Sequence, residues 1–88
     1  MDWSIRPKRA AGLEVSEVTD GFVVYQPDRD RLHYLNATAA MLLESCDGRL
    51  RADELPGMLA LAFQLPEPPS DEVEACLERL LNEGLIGL

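Results

Sequence analysis

Residues 31–48 combine a short strand with a capped helix, and this junction limits what the rest of the chain can fold into. Arg31–Leu35 carries two leucines and a tyrosine in a pattern that favours a β-strand. Asn36 follows as a good N-cap, because its side-chain oxygen can accept a hydrogen bond from the first turn of a helix. Ala37–Cys46 is rich in alanine and leucine and predicts that helix, with Gly48 suited to the left-handed position after it. The junction therefore predicts a rigid corner between a sheet and a helix.

Two more strands are predicted before this junction. Leu13–Val18 reads as a first strand, and Asp20-Gly21 after it is typical of a tight hairpin turn. Phe22–Gln26 is apolar nearly throughout and predicts a second strand. A turn starting at Pro27 then leads into the strand of the junction. Three strands joined by tight turns predict an antiparallel meander.

Two more helices are predicted after the junction. We expect Asp53 to cap the second helix, with Pro56 in its first turn. The third helix is expected to start with Ser70 as its cap and to end at Gly84, because its apolar residues recur at helical spacing. Three strands followed by three helices predict an α+β domain. The apolar tail 85–88 is expected to pack back onto the body.

Charge is distributed unevenly along the 88 residues. We expect a flexible arm over residues 1–12, with three cations against one carboxylate, and a folded domain over residues 13–88, with five arginines against fifteen carboxylates. So acidic a body lacks the cations that phosphate contacts need, and we expect no nucleic-acid partner. No signal peptide or membrane-length apolar run is visible, so we expect a cytoplasmic protein without a membrane partner.

No catalytic or metal site is predicted. His33 is the only histidine, and no nucleophile in a pairing motif surrounds it, so we expect it on the surface or lining a groove. Cys46 and Cys76 form no C-x-x-C unit and are expected to be buried small side chains. The carboxylates of the third helix are expected to form a solvated face. We therefore expect no enzyme and no cofactor.

The third strand offers a binding edge if it lies at the side of the sheet. An extended peptide can add to such an edge, with backbone hydrogen bonds giving affinity and side-chain pockets giving selectivity. Leu32 and Tyr34 share one face of the strand, and Arg31, His33 and Leu35 share the other. Only one set can face the core, so the other should help to line a groove. The alternative is an edge that binds nothing because Arg31 and nearby aspartates blunt it.

The chain resembles the PqqD family from about residue 13 to residue 86. The most specific part is Leu-Asn-Ala-Thr-Ala-Ala at residues 35–40, with Cys-Asp-Gly starting ten residues after its asparagine. Other segments add to the resemblance by their order and spacing: Val24–Pro27, Leu32–Ala40, Leu43–Gly48, Glu54–Leu55, Asp71–Val73, Leu80–Leu81 and Gly84–Ile86. Two departures fall near the second helix, where many relatives have threonine at the place of Arg51 or Ala52 and where Pro56 is unusual.

The resemblance implies a winged helix-turn-helix-like fold that begins with a three-stranded sheet. It also implies a non-catalytic recognition element that binds the leader segment of a ribosomal precursor peptide. Such an element presents the peptide to a modifying enzyme, often a radical S-adenosylmethionine enzyme. By position, the leader would add as a strand to Arg31–Leu35 and lie against the exposed side of the third helix. The helix residues implied there are Glu72, Cys76, Arg79, Leu80 and Glu83.

Two other functions fit the sequence less well. A winged-helix transcriptional regulator is the alternative, but its recognition helix should be basic, and the two later helices carry one arginine, Arg79, against many carboxylates. A small modifying or hydrolytic enzyme ranks last because no nucleophile–base pair is visible. An exposed edge strand can also pair with a second copy, so a monomer and a weak homodimer are both expected possibilities.

Overall fold

The three predicted strands and three predicted helices are present in the computed structural model, which describes residues 2–88. In chain order the elements are β1 (Lys8–Arg9), β2 (Glu14–Val18), β3 (Gly21–Gln26), a 3₁₀ turn (Pro27–Arg29), β4 (Arg31–Leu35), α1 (Ala37–Ser45), a 3₁₀ turn (Ala52–Glu54), α2 (Leu55–Ala62), α3 (Ser70–Asn82) and β5 (Ile86–Gly87). The α+β class, with a three-stranded antiparallel sheet followed by three helices, is confirmed. The short strands β1 and β5 were not predicted.

The main sheet has the order β2–β3–β4, so β4 is an edge strand. A two-residue turn joins β2 to β3 and pairs Val18 with Gly21. Gly21 has a φ of +156°, and a Cβ atom there would lie 2.6 Å from the carbonyl oxygen of Leu35 on β4. A larger residue would therefore push β3 and β4 apart at this corner. In the next pairing, Phe22 lies opposite Leu35 and Gln26 opposite Arg31.

The core lies between the inner face of the sheet and the three helices. Because α3 is strongly amphipathic, it buries one stripe and leaves its carboxylates outside. Leu85 and Ile86 are also buried, so the tail packs back onto the body as expected. The core side chains are Val24, Leu35, Ala39, Ala40, Leu42, Leu43, Cys46, Ala52, Leu55, Leu59, Val73, Leu77, Leu80, Leu85 and Ile86. Across residues 2–88, no helix is both long and apolar enough to cross a bilayer.

One of the three predicted helix caps is confirmed. Asn36 Oδ1 accepts a hydrogen bond from the backbone N–H of Ala39 at 2.8 Å. The predicted cap Asp53 is wrong, because it lies inside the 3₁₀ turn and its carboxylate accepts from the side chain of Arg51. The predicted cap Ser70 is also wrong, because Ser70 is the first residue of α3 and Pro69 occupies the cap position.

The segment before β2 was expected to be a flexible arm over residues 1–12. Met1 lies outside the described residues, and the following residues contact the body through backbone hydrogen bonds. β1 pairs with β5, and the N–H of Arg9 donates to the carbonyl of Cys46 at 2.7 Å. The carbonyl of Ile5 accepts from the N–H of Ala52 at 2.8 Å, and Pro7 is buried. These contacts attach the segment to both ends of the α1–α2 connection instead of leaving it loose.

Candidate functional site

The outer side of β4 presents unpaired backbone groups. A two-residue hairpin turn closes on a hydrogen-bonded pair, and such pairs alternate along an antiparallel ladder. Val18 and Gly21 form such a pair, so residues 21, 23 and 25 of β3 bond to β2. The residues between them, Phe22, Val24 and Gln26, bond to β4, where they lie opposite Leu35, His33 and Arg31. The N–H and C=O groups of Leu32 and Tyr34 therefore point away from β3.

The side chains of β4 divide between the core and solvent as the period of two requires. His33 and Leu35 are only 5% and 2% exposed and face inward. Leu32 and Tyr34 are 66% and 71% exposed and lie on the outer face of the sheet. Arg31 is exposed at the start of the strand. Leu32 and Tyr34 are thus the pair that faces away from the core. His33 was expected on the surface or lining a groove, but it is buried.

A groove between α1 and α3 begins where β4 ends. It has a volume of about 510 Å³ and is lined by Asn36, Thr38, Ala39, Glu72, Ala75, Cys76 and Arg79. We call it the α3 groove. Three of the helix residues implied by the family resemblance line it together: Glu72, Cys76 and Arg79. A neighbouring apolar depression that includes Phe63 and Leu65 shares Thr38 and Glu72 with it, so the groove continues along α3.

Two residues of the implied set are not on the exposed side of α3. Leu80 is fully buried, so its expected place on that side is wrong. The physical reason is the phase of the helix, because Val73, Leu77 and Leu80 form one stripe that faces the core. Glu83 lies just after α3 and is partly buried. Its carboxylate contacts His33 and Arg79 within the protein.

His33 is held between two side-chain oxygens. Its Nε2 lies 3.0 Å from Oε1 of Gln26, and its Nδ1 lies 3.1 Å from Oε2 of Glu83. The amide nitrogen of Gln26 points toward the carbonyls of Glu83 and Gly84, which fixes the amide oxygen toward the ring. The histidine therefore joins β3, β4 and the end of α3 into one polar cluster.

Arg79 connects this cluster to the β4 edge. Its Nη2 donates a hydrogen bond to the outward carbonyl of Tyr34 at 3.1 Å. Its Nε lies 3.5 Å from Oε1 of Glu83, the residue that follows the end of α3. The guanidinium thus covers one of the four outward backbone groups of Leu32 and Tyr34 and leaves the other three uncovered. In this way α3 partly protects the edge strand from pairing with another chain.

Neither cysteine has the surroundings of a reactive thiol. Burial raises the pKa of the Cys46 thiol to about 12. Partial burial also raises the pKa of the Cys76 thiol, which lines the α3 groove. A low-pKa thiolate would instead need an electropositive setting. Within the part of the chain that the structure describes, no cluster of three or more histidine, cysteine or carboxylate side chains could hold a metal ion.

Sequence reasoning found the β4 edge and three groove residues but missed others. Ala75 lies three positions after Glu72, so the helical period could have identified it. Thr38 and Ala39 line the groove from the first turn of α1. Their role depends on how α1 packs against α3, and no local pattern shows it. The same holds for Gln26, which supports His33 from a neighbouring strand.

The fold and the edge together define a small α+β domain with an open strand edge beside a helix groove, an arrangement suited to an extended chain. The family model described as coenzyme PQQ synthesis protein D (PqqD) matches residues 21–86. The chain belongs to the PqqD family. No match was found among curated proteins or among solved structures. The family gives the chain a general role in recognising the peptide precursor of a ribosomally made, modified product, and it is a family of non-catalytic recognition elements.

Proposed function

We propose that this protein binds the leader segment of a ribosomal precursor peptide by strand addition at β4 and presents it to a modifying enzyme. The observation that carries the proposal is the set of outward backbone groups on Leu32 and Tyr34 beside the α3 groove. A peptide in extended conformation would bond to these groups, and its inward side chains would enter the groove. The partner enzyme is expected to be a radical S-adenosylmethionine enzyme, and the protein itself acts without catalysis or cofactor in the cytoplasm.

The charge of α3 favours a peptide over DNA. Along α3, one cation, Arg79, stands against four carboxylates: Asp71, Glu72, Glu74 and Glu78. A helix that enters the major groove needs cations to meet phosphates, so this helix would be repelled by a duplex. The winged-helix regulator is therefore the weaker proposal. A monomer that pairs weakly through β4 with a second copy is compatible with the same edge.

A titration followed by backbone amide NMR tests the proposal. The labelled protein is titrated with the leader segment of the precursor peptide encoded nearest to its gene, and in parallel with duplex DNA. Saturable shifts at residues 31–35 and 70–82 with the peptide alone support the proposal. Shifts with DNA alone would support the regulator instead. Shifts with the peptide that map only elsewhere would reject strand addition at β4.

A second assay addresses presentation to the enzyme. The rate at which the partner enzyme modifies the full precursor is measured with and without this protein. The proposal expects a faster reaction in its presence and no acceleration when the leader segment is removed from the precursor. Equal rates with and without the protein would contradict presentation, even if the leader binds.

A further inference from the structure

Arg79 links the β4 edge to the α3 groove, and its position bears on which peptides can bind. The guanidinium donates to the Tyr34 carbonyl, and the same side chain lines the groove. The side chain is half exposed, so a bound peptide can reach it. The inference below rests on the proposed strand addition and concerns the chemistry of the strand that is added.

An added strand needs the acceptor that Arg79 now uses. In a β-ladder the Tyr34 carbonyl would accept an N–H from the neighbouring strand. The carbonyl would then exchange the Nη2 donor of Arg79 for a peptide N–H, and the guanidinium would lose an acceptor. The carboxylate of Glu83 lies 3.5 Å from Nε and also faces His33, so it is already shared. Strand addition therefore leaves a cation at the groove with more donors than acceptors.

Two further arginines next to β4 have no carboxylate partner, which makes them available to an anionic peptide. Arg29, the last residue of the 3₁₀ turn before β4, and Arg31, the first residue of β4, form no ion pair with a carboxylate of residues 2–88. Within residues 2–88, the Arg29 side chain donates to the backbone carbonyl of Glu83, at 3.4 Å. Three of the five arginines of residues 13–88 thus border this strand, although fifteen carboxylates lie in the same region. The carboxylates of Asp28, Asp30 and Glu83 lie at the same place, so what distinguishes this edge is that two of its arginines are not neutralised by an ion pair within the described residues.

The floor of the α3 groove is uncharged. Between Arg79 at one end and Glu72 at the other lie the small side chains of Ala39, Ala75 and Cys76. Such a floor fits an apolar side chain. Side chains two residues apart in a strand lie on the same face, roughly 6–7 Å from one another. Neighbouring side chains in a strand point to opposite faces, so they could not both meet α3.

We infer that the strand bound at β4 carries a carboxylate that pairs with Arg79, two residues from an apolar side chain that fills the α3 groove. Arg79 is then a specificity-determining residue. In the free protein it covers the Tyr34 carbonyl, and in the complex it selects acidic peptides. The recognised pattern is apolar–any–acidic, read in either chain direction.

A peptide selection tests this pattern without knowledge of the natural precursor. A phage-displayed library of random 12-residue peptides is selected on the full chain, on Arg79→Glu and on Arg49→Glu. Arg49 is exposed and lies outside the α3 groove, so the second variant makes the same charge change as a control. The wild type and Arg49→Glu should enrich the apolar–any–acidic pattern. Arg79→Glu should enrich lysine or arginine at the acidic position.

The outcomes separate this inference from the proposed function. Peptides that bind at β4 without an acidic preference, or the same acidic pattern on Arg79→Glu, would overturn the inference alone. No enrichment on any of the three folded proteins would overturn peptide binding itself, and the inference with it. Circular dichroism at matched concentrations establishes that each variant is folded before selection.

A double-mutant cycle supplies the quantitative test. A selected peptide and its Glu→Gln (or Asp→Asn) version are compared on the wild type and on Arg79→Gln. The neutral peptide should bind the wild type about threefold to tenfold more weakly, as expected for a charge pair that is partly exposed. On Arg79→Gln the two peptides should bind equally within error. An equal loss on both proteins would show that the carboxylate meets another group and would overturn the role of Arg79.

Discussion

Proline substitutions in β4 test which backbone groups face the bound peptide. The register places the N–H of Leu32 on the outer side of the sheet and the N–H of His33 in the ladder with β3. Proline lacks this N–H and is tolerated in edge strands where the N–H would face solvent. Leu32→Pro should therefore fold and lose one donor toward the peptide. His33→Pro should disturb the fold itself.

Leu32→Pro should change mainly the peptide affinity, and His33→Pro should change mainly the folding stability. A net backbone hydrogen bond contributes about 0.5–1.5 kcal/mol, so Leu32→Pro should weaken peptide binding about 2- to 13-fold. Leu32→Ala is the matched control, because it removes the side chain and keeps the N–H. In His33→Pro the Val24 carbonyl loses its donor, at a cost of about 1–3 kcal/mol of folding stability. The loss of the ring contacts to Gln26 and Glu83 adds to that cost.

Two measurements decide the matter. Urea unfolding gives the stability of each variant, and fluorescence anisotropy with a labelled leader peptide gives its affinity. Leu32→Pro should match Leu32→Ala in stability within about 1 kcal/mol and bind more weakly than Leu32→Ala. Equal affinity of Leu32→Pro and Leu32→Ala would refute the assignment of outward groups. So would a Leu32→Pro variant as unstable as His33→Pro.

Three further predictions concern buried and groove-lining side chains. Leu80→Ala should cost about 2–5 kcal/mol of folding stability in urea unfolding, because Leu80 is fully buried in the core. Stability should fall above pH 9, by about 2 kcal/mol at pH 10.5, because the folded-state pKa of Cys46 is raised to about 12 from 9.0 and the unfolded state ionises first. The Cys46→Ala variant should lose about 2 kcal/mol less folding stability than the wild type between pH 9 and pH 10.5. Cys76 should react with a maleimide faster than Cys46, and bound leader peptide should slow its labelling, since Cys76 lines the α3 groove.

Each of these has a result that would contradict it. A well-folded Leu80→Ala variant with unchanged stability and weaker peptide binding would show that Leu80 lines the α3 groove and is not a core residue. Equal losses of stability at pH 10.5 in the wild type and in Cys46→Ala would show that Cys46 is not a buried thiol in the folded protein. Labelling of Cys76 that saturating peptide leaves unchanged would place the peptide outside the α3 groove.

The strand–helix junction was predictable because its signals are local. Asn36 caps the helix that follows through a bond to Ala39, three residues away, and alternation within β4 fixed which side chains share a face. Which face is buried depends on where the helices pack. The sequence alone therefore did not decide whether Leu32 and Tyr34 or the alternate residues of β4 face the core. The edge position of β4 also depends on the order of the sheet.

The errors arose where distant parts of the chain decide the outcome. Residues 8 and 9 carry charged side chains and no strand pattern, yet they pair with Ile86–Gly87 at the other end of the chain. The error at Leu80 was different in kind, because its exposed position came from the family resemblance, whereas the helical period already places Leu80 in one stripe with Val73 and Leu77. The cluster around His33 joins side chains from β3, β4 and the end of α3, and no spacing in the sequence indicates it.

Amide hydrogen exchange at β4 tests the central claim most directly. In the free protein the N–H groups of Leu32 and Tyr34 face outward, so they should exchange fast in D₂O, while His33, bonded within the sheet, should exchange slowly. Saturating leader peptide should slow exchange at Leu32 and Tyr34 by tenfold or more and leave His33 nearly unchanged. Fast exchange at Leu32 and Tyr34 in a saturated complex would contradict strand addition at this edge.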